Sequence, residues 1–417
     1  MVGRHAVSDD RAMTEETRAA TRPREPAAAS DLDHLRAEVR SFLAERAPKM
    51  RVRSGVRTPE SREQADVLRR WSAALYEAGY YGADWPVEFG GRGGVDPLAE
   101  FVVSEEVARA RAPIPIGAGS LAAHAILGFG SPEQQRRFLP RIRAYDDVWC
   151  QLFSEPEAGS DLASMRARAE RDGDVFVLNG QKVWSTNAAF AERGYLLART
   201  DPDVVKQAGI TAFALDMSLP GIDVRPLREM TGTSDFNEVF FDDVRIPAGD
   251  VIGTVNDGWR VATTSLSEER AGVGAFTVAL RLNFDALVEL ARSLERHGRP
   301  ATEDPVVRQA LAGFAARVEI ASWFAGQVLA RRRRGEIRAQ DAPISKVVFA
   351  ELNEELSTFA VGLQGARGTL SDADPQAFDE GRWQDVFLNA KAFTISAGSN
   401  EIMRNLLGER ALLLPRG

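Results

Sequence analysis

Two short segments of the 417-residue chain concentrate residue types that can hold a phosphate or a flat polar ring. QLFSEPEAGSD, residues 151–161, sets Ser154 and Ser160 around Gly159. Small residues with free N–H groups form nests that receive phosphate or the polar edge of a heterocycle. NGQKVWSTNA, residues 179–188, places Trp184 beside Ser185 and Thr186. An indole can cover one face of an isoalloxazine ring while a neighbouring hydroxyl and N–H meet its N5 and O4. Taken singly, a glycine-containing loop and an aromatic strand residue in the core account for the two segments just as well.

Other chemistries lack their residues. No GxGxxG follows a strand pattern, no GxxxxGK[ST] occurs and GxSxG is missing, so a Rossmann site, a P-loop and a nucleophile elbow are unsupported. The four histidines, His5, His34, His124 and His297, have no ligand spacing, and no metal site is expected. Cys150 is the single cysteine, which rules out an intrachain disulfide. No signal-peptide core and no apolar run near the ~18 residues of a membrane span is present. Together these features point to a reducing cytoplasm. A net charge of -8 argues against nucleic acid as a partner, which needs a basic face to displace counterions. The run Arg331–Arg334 falls in a helical pattern and reads as a solvated helix face rather than a partner site.

Three kinds of pattern position these segments. Residues 1–29 lack apolar periodicity and read as a disordered tail. From Asp31, Leu32, Leu35, Val39, Phe42 and Leu43 recur at helical spacing, and further helical stretches cover 67–78, 98–108 and 121–129. Ser131-Pro132-Glu133-Gln134 gives an N-cap, a first-turn proline and the glutamine of a capping box, which open a fifth helix. Beyond Trp149 the period changes. Residues 165–180 alternate about Asp172-Gly173 as a hairpin, and strand-like runs follow at 195–199, 210–216, 222–227 and 238–246. After Gly258 helical period returns over 259–296, 304–334, 342–363 and 384–414. The expected fold is α+β: an N-terminal helical domain (30–148), a middle β-barrel domain (149–252) and a C-terminal four-helix bundle (253–417).

In this order and on this layout the segments resemble the acyl-CoA dehydrogenase family from about residue 31 to 415. ADWPVEFGGRGG (83–94), EMTGTSDFNEVFFDDVRIP (229–247), DGWRVATTSLSEER (257–270) and ISAGSNEIMRN (395–405) carry the resemblance further. It implies the same three-part fold and a non-covalent FAD cofactor. It places Gln151, Leu152, Phe153, Ser154, Gly159, Ser160, Trp184, Ser185 and Thr186 at the flavin, with Ser160 also near the thioester carrier's phosphate. Ser399 and Glu401 match positions that touch the flavin nucleotide. The family's QxxGGxG loop is degraded to Gly362-Leu363-Gln364-Gly365-Ala366, of which Gly365 is kept, and its RxxFG segment is missing from 295–309. Both normally act at the FAD across a subunit interface.

The implied reaction desaturates an acyl thioester, of coenzyme A or a carrier protein, between Cα and Cβ. A carboxylate takes the α proton, flavin N5 takes the β hydride, and an electron-transfer flavoprotein takes the electrons. Many members carry the base just before the Gly-Thr of the C-terminal motif. That position is Ala397 here, followed by Gly398-Ser399. Other members place it on a bundle helix before an arginine, which Glu269-Arg270 fits, with Glu268 as its neighbour. Glu269 is therefore the expected base and Arg270 a contact of the carrier-linked substrate. A homo-oligomer is expected, a mixed oligomer being the other possibility. Acyl-CoA oxidase or other flavin monooxygenase chemistry, and a non-catalytic subunit of a mixed assembly, are the alternative readings.

Overall fold

The computed structural model describes residues 29–53, 58–94, 96–269, 273–372 and 374–415. The tail expected over residues 1–29 lies, but for the backbone of Ala29, outside these.

Five helices open the chain: α1 (Ala29–Arg46), α2 (Arg62–Glu77), α3 (Pro97–Arg109), α4 (Gly119–Phe129) and α5 (Pro132–Ala144). The capping box at Ser131 forms as read: its hydroxyl accepts from Gln134 N, and the Gln134 side chain accepts from Ser131 N. Gln134 Nε2 then donates to the carbonyls of Gly249 and Val251 at 2.9 and 2.8 Å, fastening α5 to the next domain.

The middle of the chain is β: β1 (Trp149–Leu152), β2 (Arg168–Asp172), β3 (Val175–Lys182), β4 (Arg193–Arg199), β5 (Ile210–Asp216), β6 (Ile222–Leu227), β7 (Phe236–Pro247) and β8 (Val251–Ile252). They form one sheet in the order β6-β7-β3-β2-β4-β5-β8, with β1 parallel to β4. The described pairing does not close into a ring, since β6 and β8 stand at the two ends. The expected hairpin is β2–β3, with Asp172 opposite Val175 and Gly173 at φ +60°. Residues 149–152, outside the strand-like runs of the sequence, form β1. Its Trp149, Cys150 and Leu152 are all buried, so it lacks the alternation that marks a half-exposed strand.

The last third is helical: α6 (Gly258–Glu269), α7 (Val273–Ser293), α8 (Pro305–Arg333), α9 (Asp341–Leu363), α10 (Arg382–Ile395) and α11 (Asn400–Leu406), with a two-stranded ribbon, β9 (Glu295–Arg296) and β10 (Arg299–Pro300), between α7 and α8. The stretch 259–296 is thus α6, α7 and the start of the ribbon, and 384–414 is broken at Ser396–Ser399, where Ala397 and Gly398 take φ +53° and +88°. The arginine run at the end of α8 is no free solvated face. Arg331 is buried against Asp341 at 2.7 Å, Arg333 meets Asp96 at 2.9 Å and Arg334 meets Glu336 at 2.7 Å.

Apolar packing crosses the domain boundaries. One cluster joins Trp85, Ile126 and Phe138 of the first helices, Tyr195, Leu197 and Ala212 of the sheet, and Val261 and Ala262 of α6. The bundle has its own, with Leu287, Val318, Phe349, Leu356 and Trp383. No described helix is long and apolar enough to cross a membrane.

Candidate functional site

β1 delivers the first segment. Its register on β4 sets Gln151 opposite Tyr195 and Leu152 opposite Leu196. The Phe153 ring then meets the Tyr195 ring edge-on at 4.9 Å. Glu155 and Ala158 exchange backbone hydrogen bonds at 3.0 and 3.2 Å, which closes a tight turn. The chain leaves it with Gly159 and Ser160 exposed and nothing within 4 Å of where a Cβ on Gly159 would stand. Beyond them Lys206 bonds Asp161 at 2.6 Å and holds its carboxyl below the usual carboxylate range.

β3 delivers the second. At its end Trp184 adopts φ +60° and Asn187 φ +61°, a left-handed conformation that is costly for a bulky side chain. Pairing across the strand holds it there. Ser185 N donates to the Asn237 carbonyl at 3.1 Å, Asn237 N returns the bond at 3.2 Å, and Asn237 Nδ2 donates to the Ser185 carbonyl at 2.9 Å. The Trp184 indole is thereby turned outward, edge-on to Phe236 at 5.6 Å and 59% exposed. Ser185 Oγ, both polar side-chain atoms of Asn187 and Asn237 Oδ1 are buried with no hydrogen-bond partner among the described residues. Each such group costs about 1–3 kcal/mol left unmade.

The two segments are tied to each other. Val183 N donates to the Ser154 carbonyl at 2.9 Å. Lys182 Nζ, fully buried, donates to the Phe153 carbonyl at 3.0 Å and to Glu155 Oε1 at 2.7 Å. Burial pushes the Lys182 ammonium down to about 8, against the opposing pull of Glu155.

A cavity of about 740 Å³ opens beside the second segment, where Arg51, Arg53, Thr58–Glu60, the end of β6, the start of β7 and the start of α10 meet. Arg51 and Arg53 share Asp372 at 2.7 and 2.6 Å, and Thr58 N donates to Asp235 Oδ1 at 2.8 Å. Asn237 stands in its wall. The sequence reading did not single out Arg51, Arg53 or Asn237. Asn237 lies within the supporting segment 229–247, whereas the arginines meet Asp372 from more than 300 residues away, and no local pattern signals that.

The remaining candidates lie on helices. Glu269 closes α6; its side chain and that of Glu268 are outside the described residues, as is the whole of Arg270. Ser399 is the N-cap of α11, its hydroxyl accepting from Ile402 N at 3.3 Å, and Glu401 is exposed in that helix's first turn. Gly365, at φ +58°, has open space around it. No hydrogen bond or ion pair among the described residues ties Gly365, Ser399 or Glu401 to the Ser154 and Trp184 segments. Nor do three or more His, Cys, Asp or Glu side chains converge as metal ligands among them.

Comparison with known proteins identifies the family. Family models for acyl-CoA dehydrogenase match in three parts: the N-terminal domain over residues 30–146, the middle domain over 150–244 and the C-terminal domain over 256–412. The chain belongs to the acyl-CoA dehydrogenase family. Acyl-CoA dehydrogenase IpdE1 of Mycobacterium tuberculosis is 39% identical over 393 residues, which cover 93% of this chain and 98% of that one. Among solved structures, the Tcur3481-Tcur3483 steroid ACAD matches with a TM-score of 0.83 at 29% identity, over 95% of this chain and 100% of that one. The ChsE4-ChsE5 complex from Mycobacterium tuberculosis matches with a TM-score of 0.81 at 30% identity, over 94% and 100%.

The chain is therefore an oxidoreductase of a family that uses FAD. Its own residues suit that group. An outward indole in a strained backbone, with four buried polar atoms lacking partners nearby, offers a flat ring a face to lie on and spare hydrogen-bond capacity.

Proposed function

We propose that this protein desaturates an acyl thioester between Cα and Cβ with Glu269 as the base, and passes the electrons to an electron-transfer flavoprotein. The observation that carries the reading is the joining of the 151–160 and 184–186 segments by the Val183–Ser154 hydrogen bond and the Lys182–Glu155 ion pair. FAD is held there by Gln151 to Ser154, Gly159, Ser160 and Trp184 to Thr186, with Gly365, Ser399 and Glu401 as further contacts. When bound it supplies the two-electron acceptor for the hydride that leaves Cβ. Glu269 takes the α proton. A carboxylate kept from water has a raised pKa and accepts protons near neutral pH. Arg270, next to it, pairs with the anionic carrier of the substrate, and Ser160 meets the carrier's phosphate. Ala397 leaves the base position of the C-terminal motif without a carboxylate, which supports Glu269 as the base. The single cysteine, buried Cys150, suits a reducing cytoplasm.

The substrate is a bulky, steroid-derived acyl thioester. A structural relative described as a steroid ACAD supports this. The test is direct. Purified protein should be yellow. Without air, a steroid side-chain or ring-derived coenzyme A thioester should bleach it, and faster than a straight-chain one. A colourless protein, or bleaching by neither, overturns the reading; equal bleaching by both overturns the steroid preference. Bleaching only when the acyl group is on a carrier protein would replace coenzyme A. Rapid reoxidation by air with peroxide release would favour the oxidase alternative.

A second copy of the chain completes the assembly. On α8, Val306, Gly313, Ile320 and Trp323 share an exposed face at helical spacing, and Trp323 is 75% exposed. An apolar stripe of this kind marks an interface, and closed two-fold assemblies are the usual outcome. The ChsE4-ChsE5 complex favours a mixed oligomer as the second reading. Light scattering of the FAD-loaded chain separates them: a mass near 45.6 kDa would show that this chain alone does not self-associate.

A further inference from the structure

The Lys182–Glu155 pair is unusual among the ion pairs of this protein in being closed off from water at both ends. Lys182 Nζ reaches the Phe153 carbonyl and Glu155, with Met165 Sδ at 3.9 Å as a soft third neighbour. Glu155 in turn accepts from Arg166 N at 2.6 Å and Ala167 N at 2.9 Å. One buried contact thus gathers three pieces of chain: the turn after β1, the end of β3 and the approach to β2. Lys182 stands two residues before Trp184, and Glu155 follows Ser154 directly. Stability is a weak reason for such a pair, since replacing both members by neutral groups is often harmless while removing one is severe. What the pair does supply is a fixed distance, because an ammonium and a carboxylate with their other bonds satisfied tolerate one geometry.

We propose that Lys182 and Glu155 are positioning residues that set the spacing between the Ser154–Ser160 segment and the Trp184–Thr186 segment, and so the seat and orientation of FAD. This rests on those segments being the flavin site. A second property follows from the charges around Lys182. Glu155 faces it from the turn after β1 and holds the proton on. Arg199 of β4, whose Nε and Nη2 bond the Met165 and Ala163 carbonyls at 3.1 and 2.6 Å, pushes the other way, as burial does. The ammonium loses its proton near pH 8, so the tie slackens in mildly alkaline solution.

The test uses full-length protein loaded with FAD, as wild type, Lys182→Met, Lys182→Arg, and the double variant Glu155→Gln with Lys182→Met. The single Lys182→Met leaves a buried carboxylate without its cation and should be strongly destabilised. The double variant removes both charges while its amide still accepts from Arg166 N, and it should melt within a few degrees of wild type. In that folded double variant FAD should dissociate at least tenfold more readily, its visible absorption should shift, and bleaching by a good thioester should slow by about a hundredfold, the usual cost of misplacement by ~1 Å. Wild-type absorption should change with a midpoint near pH 8, and that change should vanish in the double variant and in Lys182→Arg. A folded double variant with wild-type FAD affinity, absorption, rate and pH profile would show that the pair only stabilises the fold, and would overturn the proposal. If wild-type protein takes up no FAD at all, the flavin site itself falls, an outcome distinct from the first.

Discussion

Gly258 opens α6 where that helix meets β5. A Cβ added there would stand 2.5 Å from the Thr211 carbonyl carbon and 2.6 Å from Ala212 N. Ordinary contact begins near 3.4 Å, so Gly258→Ala is short of room by about 0.9 Å. The atoms in the way are backbone and cannot swing aside. β5 is also pinned: Asn256 N and Thr200 Oγ1 bond Thr211 Oγ1 at 2.8 and 2.7 Å, and Ala212 pairs with Ile252 of β8. The helix must therefore yield, by close to 1 Å at its start, and Glu269 stands at its other end about 16 Å away. Overpacking of this kind costs about 1–3 kcal/mol, against at most ~1 kcal/mol returned by the better helix propensity of alanine. A displacement near 1 Å at a reacting group lowers rates by about 10²-fold. The assay is anaerobic stopped-flow bleaching of the flavin, alongside thermal melting of the same preparation. Gly128→Ala on α4, where nothing stands within 4 Å of the new methyl, is the control and should gain about 0.4–1 kcal/mol. Wild-type bleaching and melting in Gly258→Ala would refute the displacement.

Three further outcomes are expected. Glu269→Gln should keep the fold and FAD but lose about 10²–10⁴-fold in bleaching rate. Glu268→Gln, about 100° around the helix, should lose far less, and adding Ala397→Glu to Glu269→Gln should recover part of the rate; unchanged bleaching in Glu269→Gln would end its candidacy. Trp184→Ala should retain FAD less tightly and alter its visible absorption, which equilibrium dialysis and a spectrum would show; unaltered retention would remove the indole from the flavin site. The last concerns stability. Lys182 titrates near 8 when folded against 10.5 as its ordinary value, so between those values the unfolded chain holds the extra proton. Stability owed to this group therefore rises as pH climbs from about 8 to about 10.5. Urea unfolding of wild type and of the double variant Glu155→Gln with Lys182→Met across that range should diverge accordingly, and parallel curves would contradict it.

The parts of this structure that were readable in the sequence are those governed by neighbours along the chain. The capping box at Ser131, the turn at Gly173 and the amphipathic helices each depend on residues a few positions apart, and there spacing and conformation agree. The Ser154 and Trp184 segments stood out for the same reason: they are short and unusual in composition. What escaped was set by register between distant strands. β1 escaped because burial on both faces removes alternation, and the Lys182–Glu155 pair because nothing local links two charges 27 residues apart. The spare capacity of Ser185 and Asn237 depends on how the end of β3 meets β7. The helical periodicity of 384–414 ran through Gly398-Ser399, although a glycine followed by an N-capping serine is itself a stop and a restart.

α6 lies in the helical third of the chain but does not belong to the bundle by packing. Val261 and Ala262 sit in the apolar cluster shared by the first helices and the sheet, and Ser265 Oγ lies 3.2 Å from the Tyr195 hydroxyl. Mechanically, then, the helix ending at Glu269 is an outrigger of the body that bears Phe153 and Trp184. If the bundle slides or tilts against that body, the backbone of Glu269 is carried with the Ser154 and Trp184 segments rather than with the helices that follow it. A chimaera that exchanged bundles between relatives would keep this alignment if spliced between α6 and α7, and would break it if spliced at the change from sheet to helix.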